Sequence, residues 1–451
     1  MNDIVDAITA LRTRLDHGAT GVVSVTMPAR WSTSMLLQFA RIFADHGPRM
    51  VLIDAGSDRP AATIGIGAAA SSEILPTAFA AQESVRQFLS QDDRRVVLVA
   101  VPFAPTSTTA RAVYVPRVWL RQRTGEALPE LAVDVGDGDS DDVMRLLQLL
   151  HDDPQPFPTS SASTSASFVR VDAPDERGHA AAVNAALAAI DRGDISKVVL
   201  ARRSTLSTGP VRGTQLDDVL AGLLQREQRG TAYLVVNDAG DDAFFGCSPE
   251  RLCVRRGRHL DVDALAGTAA RGHDNVDDEA LAQRLRTDGK ERREHAAVVD
   301  AVVSALRPLS ASLDFAHDPA VVRLGRVQHL HTSICARLVD DAPVFAALHP
   351  TPAVAGTPRA AAVSLLQTLE PFARGLYAGF IGVADAGGED LTVALRCGRA
   401  HDDVVDVYAG SGLVAGAVAQ REWFELERKA ALMFDVLHDV LHDVCNEQLH
   451  A

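Results

Sequence analysis

The spacing of apolar positions changes character along the chain. In the first third, short β-branched runs stand between polar stretches. Gly21–Met27 and Met50–Ala55 read as strands, and Arg95–Phe103 (RVVLVAVPF) and Ala112–Arg121 (AVYVPRVWLR) as buried strands. Later the period lengthens. Gly178–Arg192 is Ala-rich and sets Val183, Leu187 and Ile190 on one face, which predicts a helix. Lys197–Arg202 (KVVLAR) follows a Gly-Asp turn and predicts a buried strand, and Thr231–Val236, Ala243–Gly246 and Arg251–Arg255 continue as strands. Glu279–Leu306 carries the period of one long helix. Strands return at Phe380–Ala384, Leu391–Cys397 and Val404–Ala409, and a helix from about Arg421 to His442 closes the chain. Because strands and helices do not alternate strictly, the pattern predicts α+β and not a doubly wound sheet. No repeat of fixed period is visible.

Two stretches carry no apolar period. Pro154–Ser167 (PQPFPTSSASTSAS) reads as an exposed connection, dividing either two domains or two halves of one. Asp134–Asp142 (DVGDGDSDD) reads as a solvated acidic loop. Composition then narrows the classes. The 451 residues hold 44 Lys plus Arg against 59 Asp plus Glu, a net charge of −15, which disfavours coating nucleic acid or an anionic membrane. At 47% hydrophobic and 23% charged the chain is an ordinary globular one. No stretch approaches the roughly 20 apolar residues that span a bilayer. The start, Met-Asn-Asp-Ile-Val-Asp, lacks a signal-peptide pattern, so a cytoplasmic protein is expected. Cys247, Cys253, Cys335, Cys397 and Cys445 form no CxxC pair and suit a reducing compartment.

Candidate chemistry is sparse. Glu291, Glu294 and His295 fall at i, i+3 and i+4, and Glu422 and Glu425 repeat the i, i+3 spacing. Two such pairs could converge on a hard divalent cation, or simply face solvent, with Glu422 and Glu425 complementing a helix dipole. Ala409–Gly416 (AGSGLVAG) fits G-x-G-x-x-A at Gly410, Gly412 and Ala415, yet no second strand follows, as a dinucleotide site requires. A Gly-rich turn offering amides to another anion, or a plain tight turn, remains. Lys197 and Arg396 stand in apolar company, either as buried charges with a purpose or as strand-end side chains reaching water. His438 and His442, flanked by Asp439 and Asp443, read as a wet surface. No G-x-S-x-G, Walker A or H-E-x-x-H is present.

Nine segments in order resemble one family. They are KVVLAR (197–202), SPERL (248–252), LAGTAARG (265–272), KERREH (290–295), VQHLHT (327–332), HPTPAVAGTP (349–358), EPFARGLYAGFIG (370–382), VALR (393–396) and YAGSGLVAGAVAQREWFELERK (408–429). Together they resemble the chorismate-utilising enzymes: isochorismate, salicylate, anthranilate and aminodeoxychorismate synthases. The first half fits loosely, through GIG (65–67), VAVPFAP (99–105) and VPRVWL (115–120). The resemblance implies an α+β fold of two large, mainly antiparallel sheets packed face to face, helices outside and the site in a cleft between them. It implies one domain over 1–451: a divergent half (1–153), the connection (154–167) and a motif-bearing half (178–445).

Within that family, a lysine at position 197 marks the branches that add water, and Ala266 stands where aminodeoxychorismate synthases often carry a nucleophilic lysine. His349, Pro350, Thr351 and Pro352 match the isochorismate branch. The expected reaction is conversion of chorismate to isochorismate, with salicylate synthesis by further pyruvate elimination as the alternative. An aminating enzyme or a non-catalytic chorismate binder stands further off. The resemblance implies Lys197 as general base on water and Glu250 as general acid for the departing hydroxyl, Lys197 neutral while Glu250 is protonated. It implies Mg²⁺ between Glu294 and Glu425, with Glu291 and Glu422 assisting. It implies a chorismate pocket of Gly267, Thr268, His329, Thr351, Tyr377, Arg396, Gly410 and Gly412. A monomer or weak homodimer without a glutaminase partner is expected. Three departures stand out: Thr287-Asp288-Gly289-Lys290-Glu291 replaces the usual Ser-Glu-Lys-Asp, Ala270 replaces a common Pro, and the loop before Arg396 looks about a residue short.

Overall fold

Alternation along the strands decides the architecture. In the computed structural model the strands sort into a twelve-stranded and a ten-stranded sheet, with neighbours antiparallel throughout the described pairings. The structure describes residues 2–441 except 18, 28, 30, 56–60, 73–76, 105–111, 124–127, 136–139, 153–167, 228, 325–326 and 341. The Ser/Pro-rich connection, His442 and Cys445 therefore lie outside the described residues.

The larger sheet runs from Gly21–Thr26 through Glu130–Val135, Val118–Gln122, Ala62–Ile66 and Arg49–Asp54. It continues with Thr231–Val236, Asp242–Ser248, Cys397–His401, Val404–Leu413 and Lys197–Ser207. Along Arg49–Asp54 and Thr231–Val236, Met50, Leu52 and Tyr233 join the core that also holds Val97–Val101 of the smaller sheet. The intervening Val51, Ile53, Ala232 and Leu234 pack in a second core with helices Thr33–Ile42, Gly213–Arg226 and Ala419–Leu441. Period-two alternation thus feeds two cores from one sheet. Each fully buried Leu or Phe in them contributes about 1.5–3 kcal/mol.

Strands from both sides of the undescribed connection meet edge to edge in both sheets. Arg49–Asp54 pairs with Thr231–Val236, and Val97–Val101 with Phe380–Asp385. A fully buried ion pair, Arg49 Nη1 to Asp217 Oδ1 at 2.8 Å, adds a tie from strand to helix across the same seam.

The structure corrects four sequence readings. The long helix over 279–306 is two, Asn275–Thr287 and Gly289–Leu306, because Asp288 leaves helical geometry and its carboxylate caps the amides of Lys290 and Glu291. Ala112–Arg121 is not one strand: Val113–Val115 lies in the smaller sheet and Val118–Gln122 in the larger, parted at Pro116, which has no N–H for a ladder. Leu391–Cys397 also splits. Gly388–Val393 belongs to the smaller sheet and Cys397–His401 to the larger, and Arg396 sits in the crossing between them with φ +52°. The 134–142 loop is shorter than expected: Asp134 lies within the buried strand Glu130–Val135 and pairs with Arg95 at 2.8 Å, 136–139 lie outside the described residues, and the helix Ser140–Asp152 follows. No helix among the described residues is long and apolar enough to cross a membrane.

Candidate active site

The crossing at 394–396 carries the chain from one sheet to the other, and so puts Arg396 in the cleft between them. Around it is a cavity lined by residues of both sheets and of the connections between them. The larger sheet supplies Val199, Gly410 and Gly412, the smaller Leu265, Ala266, Gly267, Thr268 and His329, and the turn after Asp242–Ser248 supplies Pro249 and Glu250. Glu294, Lys429, Tyr377 and Tyr408 complete the wall.

Gly410 and Gly412 do not form a turn. They lie within the strand Val404–Leu413, opposite Ala201 and Val199. Their missing side chains make the room: a Cβ on Gly412 would collide with the Glu294 carboxylate, and one on Gly410 with the Tyr377 hydroxyl. The G-x-G spacing reflects strand alternation, with both glycines on the cleft face. Gly267 forms a bulge at φ +81°, a left-handed conformation that favours glycine, and the following amide of Thr268 donates to Glu291 Oε2 at 2.7 Å.

Lys197 opens its strand and is fully buried, not a side chain reaching solvent. It shares a strand face with cavity-lining Val199. Its Nζ lies 3.3 Å from Glu294 Oε1 and makes no hydrogen bond of good geometry. Glu250 is buried too, and burial pushes its carboxyl up to about 8; Lys197 opposes that rise and Asp263 adds to it. Glu250 is thereby protonated at neutral pH.

His329 is held well below its usual pKa, first by burial and then by Arg396 and Lys429. The neutral ring has one assignable tautomer. Nδ1 lies 3.3 Å from the carbonyl of Gly267 and 3.1 Å from Thr268 Oγ1, so it carries the proton. Nε2 then accepts from Arg396 Nη2 at 3.2 Å. The guanidinium is oriented by that ring and by the carbonyl of Lys429. Tyr377 stacks on Tyr408 with centroids 5.2 Å apart.

The four glutamates cluster between helices Gly289–Leu306 and Ala419–Leu441, and they are not solvated faces. Glu294, Glu422 and Glu425 are buried. Burial, with Glu425 beside it, pushes Glu422 up to about 7 against the pull of Lys290. At Glu425 the same burial is outweighed by Lys429, which holds it below the ordinary range. Burial raises Glu291. His295 shares their helix but not their cluster: its ring nitrogens reach the Ala266 carbonyl at 3.2 Å and Thr332 Oγ1 at 2.8 Å. Among the described residues no three His, Cys, Asp or Glu side chains stand ready as a metal cage. Thr351 is buried with its hydroxyl unpartnered and is not among the cavity-lining residues.

A family profile described as "Chorismate binding enzyme" matches residues 12–438. The chain belongs to the chorismate binding enzyme family. Within that family, the salicylate biosynthesis isochorismate synthase of Pseudomonas aeruginosa is 39% identical over 285 residues, covering 62% of this chain and 58% of that protein. Isochorismate synthase MenF of Escherichia coli is 36% identical over 261 residues, covering 57% of this chain and 59% of that protein. The aligned stretches thus span less than two thirds of those relatives' lengths. The solved structure of the Escherichia coli menaquinone-specific isochorismate synthase MenF superposes with a TM-score of 0.82 at 27% identity, over 96% of this chain and all of that one.

Sequence reasoning missed Lys290 and Lys429. Lys290 Nζ bonds Glu422 Oε1 at 2.9 Å and lies 3.4 Å from Glu291 Oε1. Lys429 Nζ lies 2.6 Å from Glu425 Oε1 and donates to the Gly410 carbonyl at 2.9 Å. A signal existed: 41 of the 44 basic residues are arginine, and Lys197, Lys290 and Lys429 are the only lysines in the sequence. Each of the three touches one of the four glutamates.

Proposed function

We propose that this member of the chorismate binding enzymes is an isochorismate synthase. One observation carries the reading: a buried carboxyl, Glu250, lines the cavity, and a fully buried lysine without a good hydrogen bond, Lys197, lies on the strand that supplies its Val199 wall, where burial pushes the Glu250 carboxyl up to about 8. Such a pair suits an exchange in which water adds at C2 of the ring and the C4 hydroxyl departs as water. Lys197, once neutral, takes a proton from the attacking water, and Glu250 gives its proton to the leaving hydroxyl. The ring double bonds shift between the two carbons and the net change is an isomerisation. Lys197 stands where aminating branches typically lack a lysine, and Ala266 stands where aminodeoxychorismate synthases often carry a nucleophilic one, so the reading disfavours ammonia and a glutaminase partner.

Arg396, oriented by neutral His329, would bind one carboxylate of the dianionic substrate. The second requires a cation. Glu294 and Glu425, with Glu291 and Glu422, fit Mg²⁺: the donors are all hard oxygens, and Glu422 Oε2 is buried without a partner. Bound there, Mg²⁺ would neutralise the ring carboxylate. Gly267, Thr268, Tyr377, Gly410 and Gly412 shape the pocket, and Thr351 is left without a role in it. The unpaired cysteines Cys247, Cys253, Cys335 and Cys397 suit a reducing cytoplasm. The product would enter menaquinone, siderophore or salicylate synthesis.

The test is product analysis. Purified protein with chorismate and Mg²⁺ should yield isochorismate, and EDTA should abolish it. Pyruvate with fluorescent salicylate would instead indicate the elimination branch, and no product would overturn the reading.

A further inference from the structure

Lys290 occupies an odd place for a lysine. It is the second residue of helix Gly289–Leu306, where the positive end of the helix dipole disfavours a cation. Its backbone amide is satisfied by the Asp288 cap, so the local backbone makes no demand on its side chain. That side chain runs to the last helix and meets Glu422, with Glu291 beside it. In a chain that uses arginine 41 times and lysine three times, a lysine here is a specific choice. A guanidinium is a planar fork that locks two carboxylates together, whereas an ammonium is a compact point charge on a flexible stem. Arginine would be hard to dislodge, and lysine can leave.

The three lysines differ in freedom to leave. Lys197 has a fully buried side chain. Lys429 is fastened twice, to Glu425 and to the Gly410 carbonyl. Lys290 has a side chain 25% exposed, and so has a path to water. Its partner Glu422 keeps one buried oxygen with no partner, an unfilled acceptor site beside the ammonium.

We propose that Lys290 is a resident counter-cation of the Glu291–Glu422 cluster that competes with the divalent cation, so that cation entry expels its ammonium toward solvent. This rests on the metal part of the proposed function. It makes Lys290 a positioning residue, whose removal strengthens cation binding although it weakens the cation-free site.

The scarcity of lysine makes the test direct. Reductive methylation with ¹³C-formaldehyde labels the reachable amines only, and the Lys290 signal is assigned by its loss in K290M. Mg²⁺ should shift the Lys290 signal toward that of a solvated dimethyllysine and speed its modification in the unlabelled protein, while Lys197 stays protected. In calorimetric titrations K290M should bind Mg²⁺ at least tenfold more tightly than the wild type, and K290R no more tightly. K290Q serves in both arms if K290M does not fold. Equal or weaker binding by the charge-deleted variants, or a Lys290 signal indifferent to Mg²⁺, would overturn the proposal. Failure of both forms to bind Mg²⁺ while the wild type still makes isochorismate overturns it too and leaves the reaction standing. Tighter binding by K290M in a protein that makes no isochorismate upholds it and removes the reaction.

Discussion

Replacing Glu250 by Gln separates its two consequences, one for catalysis and one for stability. The carboxyl is pushed up to about 8 from an ordinary 4.5 because it is buried, with Lys197 only partly relieving the cost of charge. A raised carboxyl binds its proton more tightly folded than unfolded. The stability it contributes is therefore complete below the unfolded value and is lost as pH rises through the folded one. Relative to a group that never ionises, the deficit is roughly 3 kcal/mol at pH 7 and roughly 5 above pH 8. Gln has the same shape and cannot ionise. In a chain of 451 residues, 3 kcal/mol corresponds to about 3 °C in Tm. E250Q should therefore melt with the wild type near pH 4.5 and about 3–5 °C above it near pH 8. Catalysis should move the other way: E250Q loses about 10²–10⁴ in kcat for isochorismate formation. In the wild type kcat/KM should fall about tenfold per pH unit above 8, as the acid loses its proton. The assays are melting curves across pH and initial rates across pH. A Tm difference that does not grow with pH would falsify the buried-acid reading, and an alkaline limb that persists unchanged in E250Q would remove Glu250 from the proton path.

Three further outcomes follow from the site and its frame. Lys197→Met should cost about 10²–10⁴ in kcat while chorismate still binds, measured by calorimetry beside product formation, and unimpaired turnover would exclude it as base. Gly412→Ala places a methyl group against the Glu294 carboxylate, so Mg²⁺ affinity and activity should fall together with far-UV circular dichroism unchanged. Asp217→Ala strands Arg49 in the core and should cost about 3–5 kcal/mol, near 3–5 °C in Tm, with activity intact well below the melting point.

Legibility followed periodicity and failed where geometry is decided between sheets. Strands such as Thr231–Val236 are visible because both faces are buried and the run is continuously apolar. The two crossings were not, since apolar runs continue on both sides of Pro116-Arg117 and lead up to Arg396. A residue buried between sheets looks in sequence like one within a sheet. Asp288 parted a helix because its capping geometry outcompeted a period that continues on both sides. Of the site, the glutamate spacings were visible but not their burial, which depends on two helices meeting. Gly410 and Gly412 were visible as a motif yet read as a turn, because strand glycines that face a cleft have no signature apart from the ligand space they leave.

The electrostatics of the site depend on placement more than on count. The chain carries −15 overall, which by itself would repel a dianion. In the cleft the order is reversed step by step. Glu250 is neutral because burial denies it a charge. The remaining four acids are interleaved with the only three lysines of the sequence, so the cluster is close to balanced before any cation arrives. Arg396 is then a surplus positive charge, and its ring partner His329 is kept neutral by burial and by that same guanidinium, so it orients the arginine without adding a charge of its own. A divalent cation entering in place of the Lys290 ammonium would raise the local charge by one and free an ammonium at the rim. Both changes favour an incoming carboxylate. On the proposed reading, a site assembled this way would stay folded without metal, because the lysines offset the repulsion among four carboxylates, and would gain its net attraction for a dianion once the metal binds.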